Sequence, residues 1–415
     1  MNLSDGAFFG LGLSLASYTA VIPLFLSTLT ESVVLIGLMS AMHEIGWYLP
    51  QLLTAERVAR LRRYKPLAIL MTLNERIPFF FLALIALAIP AIGAGWALVF
   101  TFIAIVWQAM GGGLTATAWQ SMIAKIMPIH VRGTFYSVQS AAANLTGSGG
   151  AVLAGLLLTV VAAPTNFALC FFLCGVTMMI SWFFLAWTRE PESEPNLVAT
   201  QKRDMGVFFA HLRRIIAQDS AFRWFLVARM LAMFSAIGLY FYAIFAKREF
   251  GLDEGQIGIM TGVLFAFTVL ANPILGWLGD RWSHRVMYGV AILFAGGSAL
   301  VAVFATSPAW LYVGFALLGM AKAGLWTIPL PLTAQFGHES DRPYYIGLAN
   351  TLVAPAALIA PILGGAMADA ANFNAAFALA VVAGLAGAAV MFFVVREPRS
   401  IVYAATQTAA APAGD

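Results

Sequence analysis

His43, Glu44, Glu75, Arg76 and Lys322 all stand well inside long apolar stretches. An ionised group at bilayer depth costs about 2.5–3.5 kcal/mol on insertion scales, so such groups pair with one another or line a wet cavity. A carboxyl held out of water can load and release a proton, which makes Glu44 a candidate proton carrier. His43 can share that task, although neighbouring helical residues diverge by about 100° and cannot both face one point squarely. Glu75 followed by Arg76 offers a fixed ion pair, with Glu44 or His43 on the preceding span as further partners, and a structural role is favoured over transport chemistry. Lys322 supplies a cation for a solute, or for a structural acid. Arg229 lies nearer the end of its stretch, where its long side chain can snorkel to the surface.

Covalent chemistry has no foothold in the sequence. His43-Glu44 lacks the second histidine of a zinc helix, no Gly-Lys-Ser/Thr phosphate loop occurs, and no Cys/His spacing suits a metal. The chain is therefore read as a non-enzyme without cofactor or metal. Cys170 and Cys174, the two cysteines, share one apolar segment at i,i+4 and read as packing thiols. Asn144-Leu145-Thr146 matches a glycosylation sequon but falls inside an apolar span.

The elements that carry these residues follow from composition. Of 415 residues 61% are apolar and 10% charged, against roughly 25% charged in a soluble domain, and the mean hydropathy is +0.85. The bilayer is then the main solvent, and about 20 apolar residues cross it as a helix. The net charge of +4 is spread over short loops, which excludes a nucleic-acid surface. Met1 to Gly6 lack a basic n-region, so no cleavable signal is expected. Charges, prolines and glycine clusters cut the chain into twelve spans: 6–28, 33–53, 66–90, 95–124, 133–160, 165–188, 222–246, 255–279, 286–306, 308–335, 344–368 and 373–395.

Lysine and arginine placement orients the spans. With the N-terminus inside, 18 of the 23 basic residues fall in cytoplasmic loops or tails, and an even span count puts both termini in the cytoplasm. Residues 191–221 form a cytoplasmic linker. Within it Val207, Phe208, Leu212, Ile215 and Ile216 oppose His211, Arg213 and Arg214, the pattern of an amphipathic helix lying on the membrane surface. The expected division is an N-terminal six-helix bundle over 1–190, this linker, a C-terminal six-helix bundle over 222–398 and a disordered cytoplasmic tail over 399–415.

The two halves repeat one another. Arg189-Glu190-Pro191 and Arg396-Glu397-Pro398 close their last spans, Arg132 and Arg342 stand 210 residues apart, and Glu56-Arg57 and Asp280-Arg281 stand 224 apart. The loop Gly276-x-x-x-Asp280-Arg281-x-x-x-Arg285 is complete, whereas its first-half copy has Leu52 at the glycine position, followed by Glu56, Arg57 and Arg60. A carboxylate at such a helix end is attracted by the positive dipole end of a neighbouring helix, and exposed pairs worth about a kcal/mol each can hold a conformation and still break.

With its duplicated six-span halves, its linker and this loop between second and third spans, the chain resembles the major facilitator superfamily over residues 4–398. Pro128-Ile129-His130-Val131-Arg132-Gly133 is similar to the superfamily's loop between spans 4 and 5. The resemblance implies an all-α membrane protein with twelve transmembrane helices in two pseudo-symmetric six-helix bundles. It also implies a gating motif at Gly276, Asp280, Arg281, Arg285, Glu56, Arg57 and Arg60, with spans 1, 4, 7 and 10 lining a cavity. That placement makes Lys322, Gln108, Trp326, Tyr18, Trp119 and Tyr240 the candidate substrate-binding residues. Trp326 and Gln108 are preferred because they neighbour Gly324 and Gly111, where the backbone can open a void. Two departures weigh against a drug/proton antiporter. Span 4 reads Trp107-Gln108-Ala109-Met110-Gly111, without arginine, and Gly147-Ser148-Gly149-Gly150 does not match the antiporter signature of span 5.

The sequence thus points to a monomeric secondary transporter of the inner or plasma membrane that moves a small organic solute by alternating access. Proton coupling and efflux are the preferred finer readings. A transporter-fold sensor or scaffold that moves nothing is the alternative.

Overall fold

The computed structural model describes residues 1–18, 20–30, 33–192, 205–252, 254–338, 340–370 and 372–397. The Glu44 side chain, linker residues 193–204 and the expected tail lie outside the described residues.

Every regular element is helical, as apolar segments in lipid must be to satisfy their own backbone. Nine helices among the described residues are long and apolar enough to cross a membrane, and two causes account for the difference from twelve. First, α5 (Lys65–Ile126) is two helices that follow one another without a loop and turn at Gly93, whose φ of 79° and ψ of 160° leave the helical region. Its two arms lie side by side, with Trp107 Nε1 donating to Asn74 Oδ1 at 3.1 Å, so it supplies expected spans 3 and 4. Second, spans 1 and 2 are interrupted. Span 1 comprises α1 (Asn2–Leu15) and α2 (Val21–Ser27), and span 2 comprises α3 (Val33–Tyr48) and α4 (Gln51–Ala59). Pro50 stands in the second interruption, where its missing N–H breaks the ladder.

Spans 5 and 6 are α6 (Arg132–Val160) and α7 (Thr165–Ala186). After the linker helix α8 (Met205–Gln218), span 7 divides into α9 (Ser220–Ser235) and α10 (Gly238–Phe250). Spans 8 and 9 are α11 (Glu254–Arg281) and α12 (His284–Phe304). Span 10 is α13 (Pro308–Thr327) continued by α14 (Pro329–Thr333), span 11 is α15 (Arg342–Thr351) with α16 (Ala354–Ala370), and span 12 is α17 (Phe373–Ala389) ending in a π-turn at Val390–Val394.

The contacts sort the chain into two compact units. Unit 1 holds Met1–Pro128, Val138–Gln201 and Ile346–Ala354, and unit 2 holds Ile129–Ser137, Lys202–Tyr345 and Pro355–Asp415. Each unit therefore takes a short segment from the opposite half of the sequence. The core of unit 1 gathers Phe25, Phe79, Leu82, Phe171 and Met178, with both thiols, Cys170 and Cys174, free and buried in it. That of unit 2 gathers Tyr242, Phe245, Phe315, Leu318 and Phe377. Helix approach relies on small residues: a Cβ on Gly296 would lie 3.2 Å from the Gly384 Cα, the close backbone contact by which lipid-embedded helices gain dispersion energy.

Helix α8 departs from the expected surface-lying helix. Phe208, Leu212 and Ile215 are buried within unit 2, and Phe208 and His211 pack on the Tyr344 ring at 6.2 and 4.9 Å between centroids. Its apolar face is covered by protein, while Val207 and Phe209 remain exposed.

The turn at Gly93 has open space around it, so only backbone conformation restricts what can stand there. Gly93→Ala should destabilise the chain by about 1–3 kcal/mol, the cost of holding an L-residue in a backbone region essentially confined to glycine, seen as a lowered melting midpoint in detergent. Gly95→Ala, equally open, should leave the midpoint unchanged.

Candidate functional site

Span 1 breaks at residues 16–20, and Tyr18 stands in the break. Its ring stacks on His43 of α3, with centroids 3.6 Å apart and planes 19° from parallel. Its hydroxyl donates to Gln108 Oε1 on the second arm of α5 at 2.5 Å. His43 Nδ1 is left without a hydrogen-bond partner. Tyr18, His43 and Gln108 therefore form one polar group inside unit 1. The glycines after Gln108 open no void. A Cβ on Gly111 would strike the Asn74–Glu75 backbone, and one on Gly113 would come within 2.6 Å of the Gly46 and Trp47 carbonyl oxygens. They let α3 and the two arms of α5 pack closely, and that packing delivers Gln108 to Tyr18.

Beside this group lies a buried charge network. Arg76, 2% exposed, donates through Nε to Met178 O at 2.9 Å, through Nη1 to Thr72 O at 3.2 Å and to Thr72 Oγ1, and through Nη2 to Ser181 Oγ at 3.1 Å. Ser181 Oγ in turn donates to Asp5 Oδ1 at 2.6 Å. The two acids face the guanidinium at 3.8 Å (Asp5) and 3.6 Å (Glu75). Sequence reasoning paired Arg76 with span 2 and overlooked Asp5 and Ser181. The helix of span 1 begins at Asn2, so Asp5 lies a full turn inside it. The cue was a lone acid ahead of an apolar run.

Lys322, on α13 of unit 2, is half-buried with Nζ 4.7 Å over the Phe265 ring. Among the described residues no carboxylate comes within 4 Å of it. Trp119 is half-buried in unit 1, whereas Tyr240 and Trp326 are exposed in unit 2. Trp326 and Gln108 thus belong to different units, one exposed and the other buried. Gly324 packs against Ala291 and Leu275 and opens no void either.

The repeated loops resolve into helix-end chemistry. Asp280 accepts from the backbone N–H of Gly133 at 2.9 Å and of Thr134 at 2.5 Å, the first turn of α6. The Gln335 amide lies 2.9 Å from His284 Nδ1. With that amide donating, Nε2 carries the ring proton and faces Asp280 Oδ1 at 3.2 Å. Gly276 gives α6 its close approach, because a Cβ there would collide with the Ser137 side chain. Arg281 lies 5.3 Å over Trp277, and Arg285 donates to Phe392 O at 3.2 Å and Val395 O at 2.6 Å, the last carbonyls of span 12. Arg285 also faces Glu397 at 3.4 Å. The repeated arginines Arg132 and Arg342 both lie within electrostatic reach of Tyr136.

The glutamates of the two Arg-Glu-Pro repeats do related work. Glu190 accepts from the N–H groups of Tyr64 at 2.8 Å and Lys65 at 2.7 Å, where α5 starts, and pairs with Lys125 at 3.0 Å. Glu397 accepts from Ser283, the N-cap of α12. Each repeat thus ties the end of its half to the start of that half's third span.

In the first-half loop Glu56 pairs with Arg60 one turn on, and Arg57 is exposed. The missing glycine has a counterpart elsewhere. Within unit 1, Gly347 meets the α4 backbone, where a Cβ on it would lie 3.1 Å from the Leu52 Cα and 3.2 Å from Gln51 O. Gly347 is 210 residues after Ser137, and Leu52 is 224 before Gly276. The small residue has therefore changed sides: glycine against serine at one crossing becomes leucine against glycine at the other. Beside it Asn350 Nδ2 donates to Gln51 Oε1 at 2.6 Å, with both side chains buried, and Thr351 Oγ1 donates to Tyr48 O at 3.1 Å.

Known proteins bear on this architecture. The model of the Major Facilitator Superfamily matches residues 225–413. The Escherichia coli fucose:proton symporter has the same fold at a TM-score of 0.74, with 15% identity over 94% of this chain and 98% of that one. A bacterial homologue of the iron transporter ferroportin aligns at 0.72, with 17% identity over 94% and 97%. At such identities the likeness shows the fold. Among curated proteins, a Na(+), Li(+), K(+)/H(+) antiporter of Planococcus maritimus is 27% identical over 37% of either chain. Efflux pump aflT of Aspergillus parasiticus is 29% identical over 32% of this chain and 26% of its own length. The matches thus span well under half of these two relatives. The family match thus covers the C-terminal part of the chain, and the likeness to solved structures extends the same fold over nearly all of it, that of an integral membrane protein with multiple spans.

The side exchange at the crossings can be tested by reversal. Gly347→Ser should lower the melting midpoint by overpacking, about 1–3 kcal/mol, and adding Leu52→Gly should recover part of the loss. A double variant no more stable than the single one would dissolve the correspondence.

Proposed function

We propose that this chain is a secondary transporter that carries a small organic solute across the membrane by alternating access, coupled to protons. The observation that carries the reading is the polar group at the break of span 1. Interrupted helices mark solute and ion sites in transporters of repeated architecture, and here the break holds Tyr18 against His43 and Gln108. An aromatic body with hydrogen-bonding tips suits an amphipathic organic solute. Lys322, with no carboxylate within 4 Å among the described residues, is the cation in unit 2 that an anionic or polar solute group would engage. Trp119, Tyr240 and Trp326 complete the candidate set, and Glu44 and His43 are candidate proton carriers.

The Asp280 crossing and its first-half counterpart serve in this reading as breakable restraints of the transport cycle. Arg281, Arg285, Glu56, Arg57 and Arg60 supply the surrounding charge. The functional halves are 1–190 and 222–398, and the basic residues place both termini in the cytoplasm of an inner or plasma membrane. Export is favoured over import by the aromatic character of the candidate site, and the partial likeness to an efflux pump and a cation/proton antiporter supports that direction. The working unit is a monomer.

A proteoliposome screen of amphipathic organic cations, anions and neutral solutes under an imposed pH gradient tests the proposal. Wild type should show gradient-dependent flux of at least one class, and Gln108→Ala and Lys322→Ala should each reduce it by about tenfold, the loss of roughly 1.4 kcal/mol of binding. Retained ligand binding with no flux of any class would instead indicate a sensor.

A further inference from the structure

Two carboxylates, Asp5 and Glu75, share one guanidinium, that of Arg76, and all three side chains are at least nine-tenths buried. With all three ionised these side chains carry one net negative charge inside a membrane-spanning unit, where the N-terminal ammonium acts on Asp5 alone, and such a charge is expensive unless a cation or proton joins it. The two acids are held unequally. Asp5 accepts a short hydrogen bond from Ser181, which is itself held by Arg76. The hydrogen bonds of Arg76 go to Met178, Thr72 and Ser181, and none goes to Glu75. Glu75 accepts only a 3.4 Å contact from Thr72 through Oε2, and among the described residues nothing donates to Oε1. A carboxyl so largely buried, with one oxygen lacking a donor, favours the proton.

The surroundings leave that oxygen room. A Cβ on Gly112 would stand 3.0 Å from Glu75 Oε1 and 3.1 Å from the Trp47 ring, so glycine keeps the space beside the carboxyl clear. Tyr18 is within electrostatic reach of Glu75, its hydroxyl meets Gln108 and its ring stacks on His43. The ionisable groups that act on Glu75 are Asp5 from α1, Tyr18 from the break of span 1 and Arg76 from α5, and His43 of α3 and Cys174 of α7 adjoin Tyr18.

We infer that Glu75 is the proton-binding group of this protein, held beside Arg76 and Asp5 and connected through Tyr18 to the candidate solute site. The inference rests on the proton-coupled reading above and assigns the proton to Glu75 in place of the candidates Glu44 and His43. When the Glu75 carboxyl is protonated its O–H donates, the network is neutral, and Arg76 remains paired with Asp5. Loss of that proton leaves the excess charge that must be relieved before the cycle proceeds.

Infrared difference spectroscopy of the purified full chain, titrated from about pH 5 to about pH 9, reads the protonated-carboxyl stretch directly and needs no solute. Wild type should show a band that titrates, and Glu75→Gln should lose it. Should Glu75→Gln fail to fold, Thr72→Val removes the one hydrogen bond to the carboxylate and should shift the titration midpoint. A titrating band that survives Glu75→Gln overturns the assignment. So does the absence of any titrating band in wild type, an unmoved midpoint in Thr72→Val, or a band displaced by Na⁺ and not by pH. A wild type that moves no solute in liposomes would end the transport reading and leave the spectroscopic result standing.

Discussion

The backbone N–H groups at the start of a helix have no partner within that helix, and a lipid surrounding offers none. Carboxylates from distant parts of this chain meet that demand. Glu190 takes the first N–H groups of α5, and Asp280 takes those of α6. Each bond is charge-assisted and lies along the favourable end of a helix dipole. Because the two members of each pair are far apart in sequence, these bonds fix which helices are neighbours. Asp280 thereby gathers residues 129–137 into unit 2.

The same demand governs the interior of unit 1. Arg76 crosses from α5 to two carbonyls and two hydroxyls, spreading one positive charge over α5 and α7 and reaching Asp5 on α1. Such a centre tolerates no loose packing around it, and glycines bring the neighbouring helices in. Gly12 approaches Thr177 and Met178, and Gly111 approaches the backbone that carries Glu75. Backbone-to-backbone contact excludes lipid from the polar groups, which strengthens every electrostatic interaction among them.

Apolar length was enough to read an all-helical membrane protein, and the repeated charged loop carried the resemblance to the superfamily's fold. The interruptions were harder, because a break such as residues 16–20 keeps its apolar composition and loses only its hydrogen bonds. The site was legible in fragments. Tyr18, His43 and Gln108 were each picked out, yet nothing in their spacing says that three helices bring them into one group. Asp5 escaped because an acid near a chain start reads as solvated. Gly111 and Gly324 were read as openings when they are contacts, since composition alone does not tell a glycine that makes room for a ligand from one that makes room for a helix.

The two crossings show why a repeat can diverge without decaying. Read alone, Leu52 looks like the loss of a glycine, but a crossing needs only one of its two sides to be small, and Gly347 supplies it. The polar half of the crossing has changed in kind. At one crossing an ionised carboxylate takes two backbone N–H groups and faces a histidine, and at the other a neutral amide takes one bond from Asn350. Hydrogen bonds to a charged group contribute about 1.5–3 kcal/mol each against about 0.5–1.5 kcal/mol for neutral ones, so the Asp280 crossing is the stronger of the two. Leu52 and Gln51 set that difference as much as Asp280 does, since they are what makes the other crossing neutral.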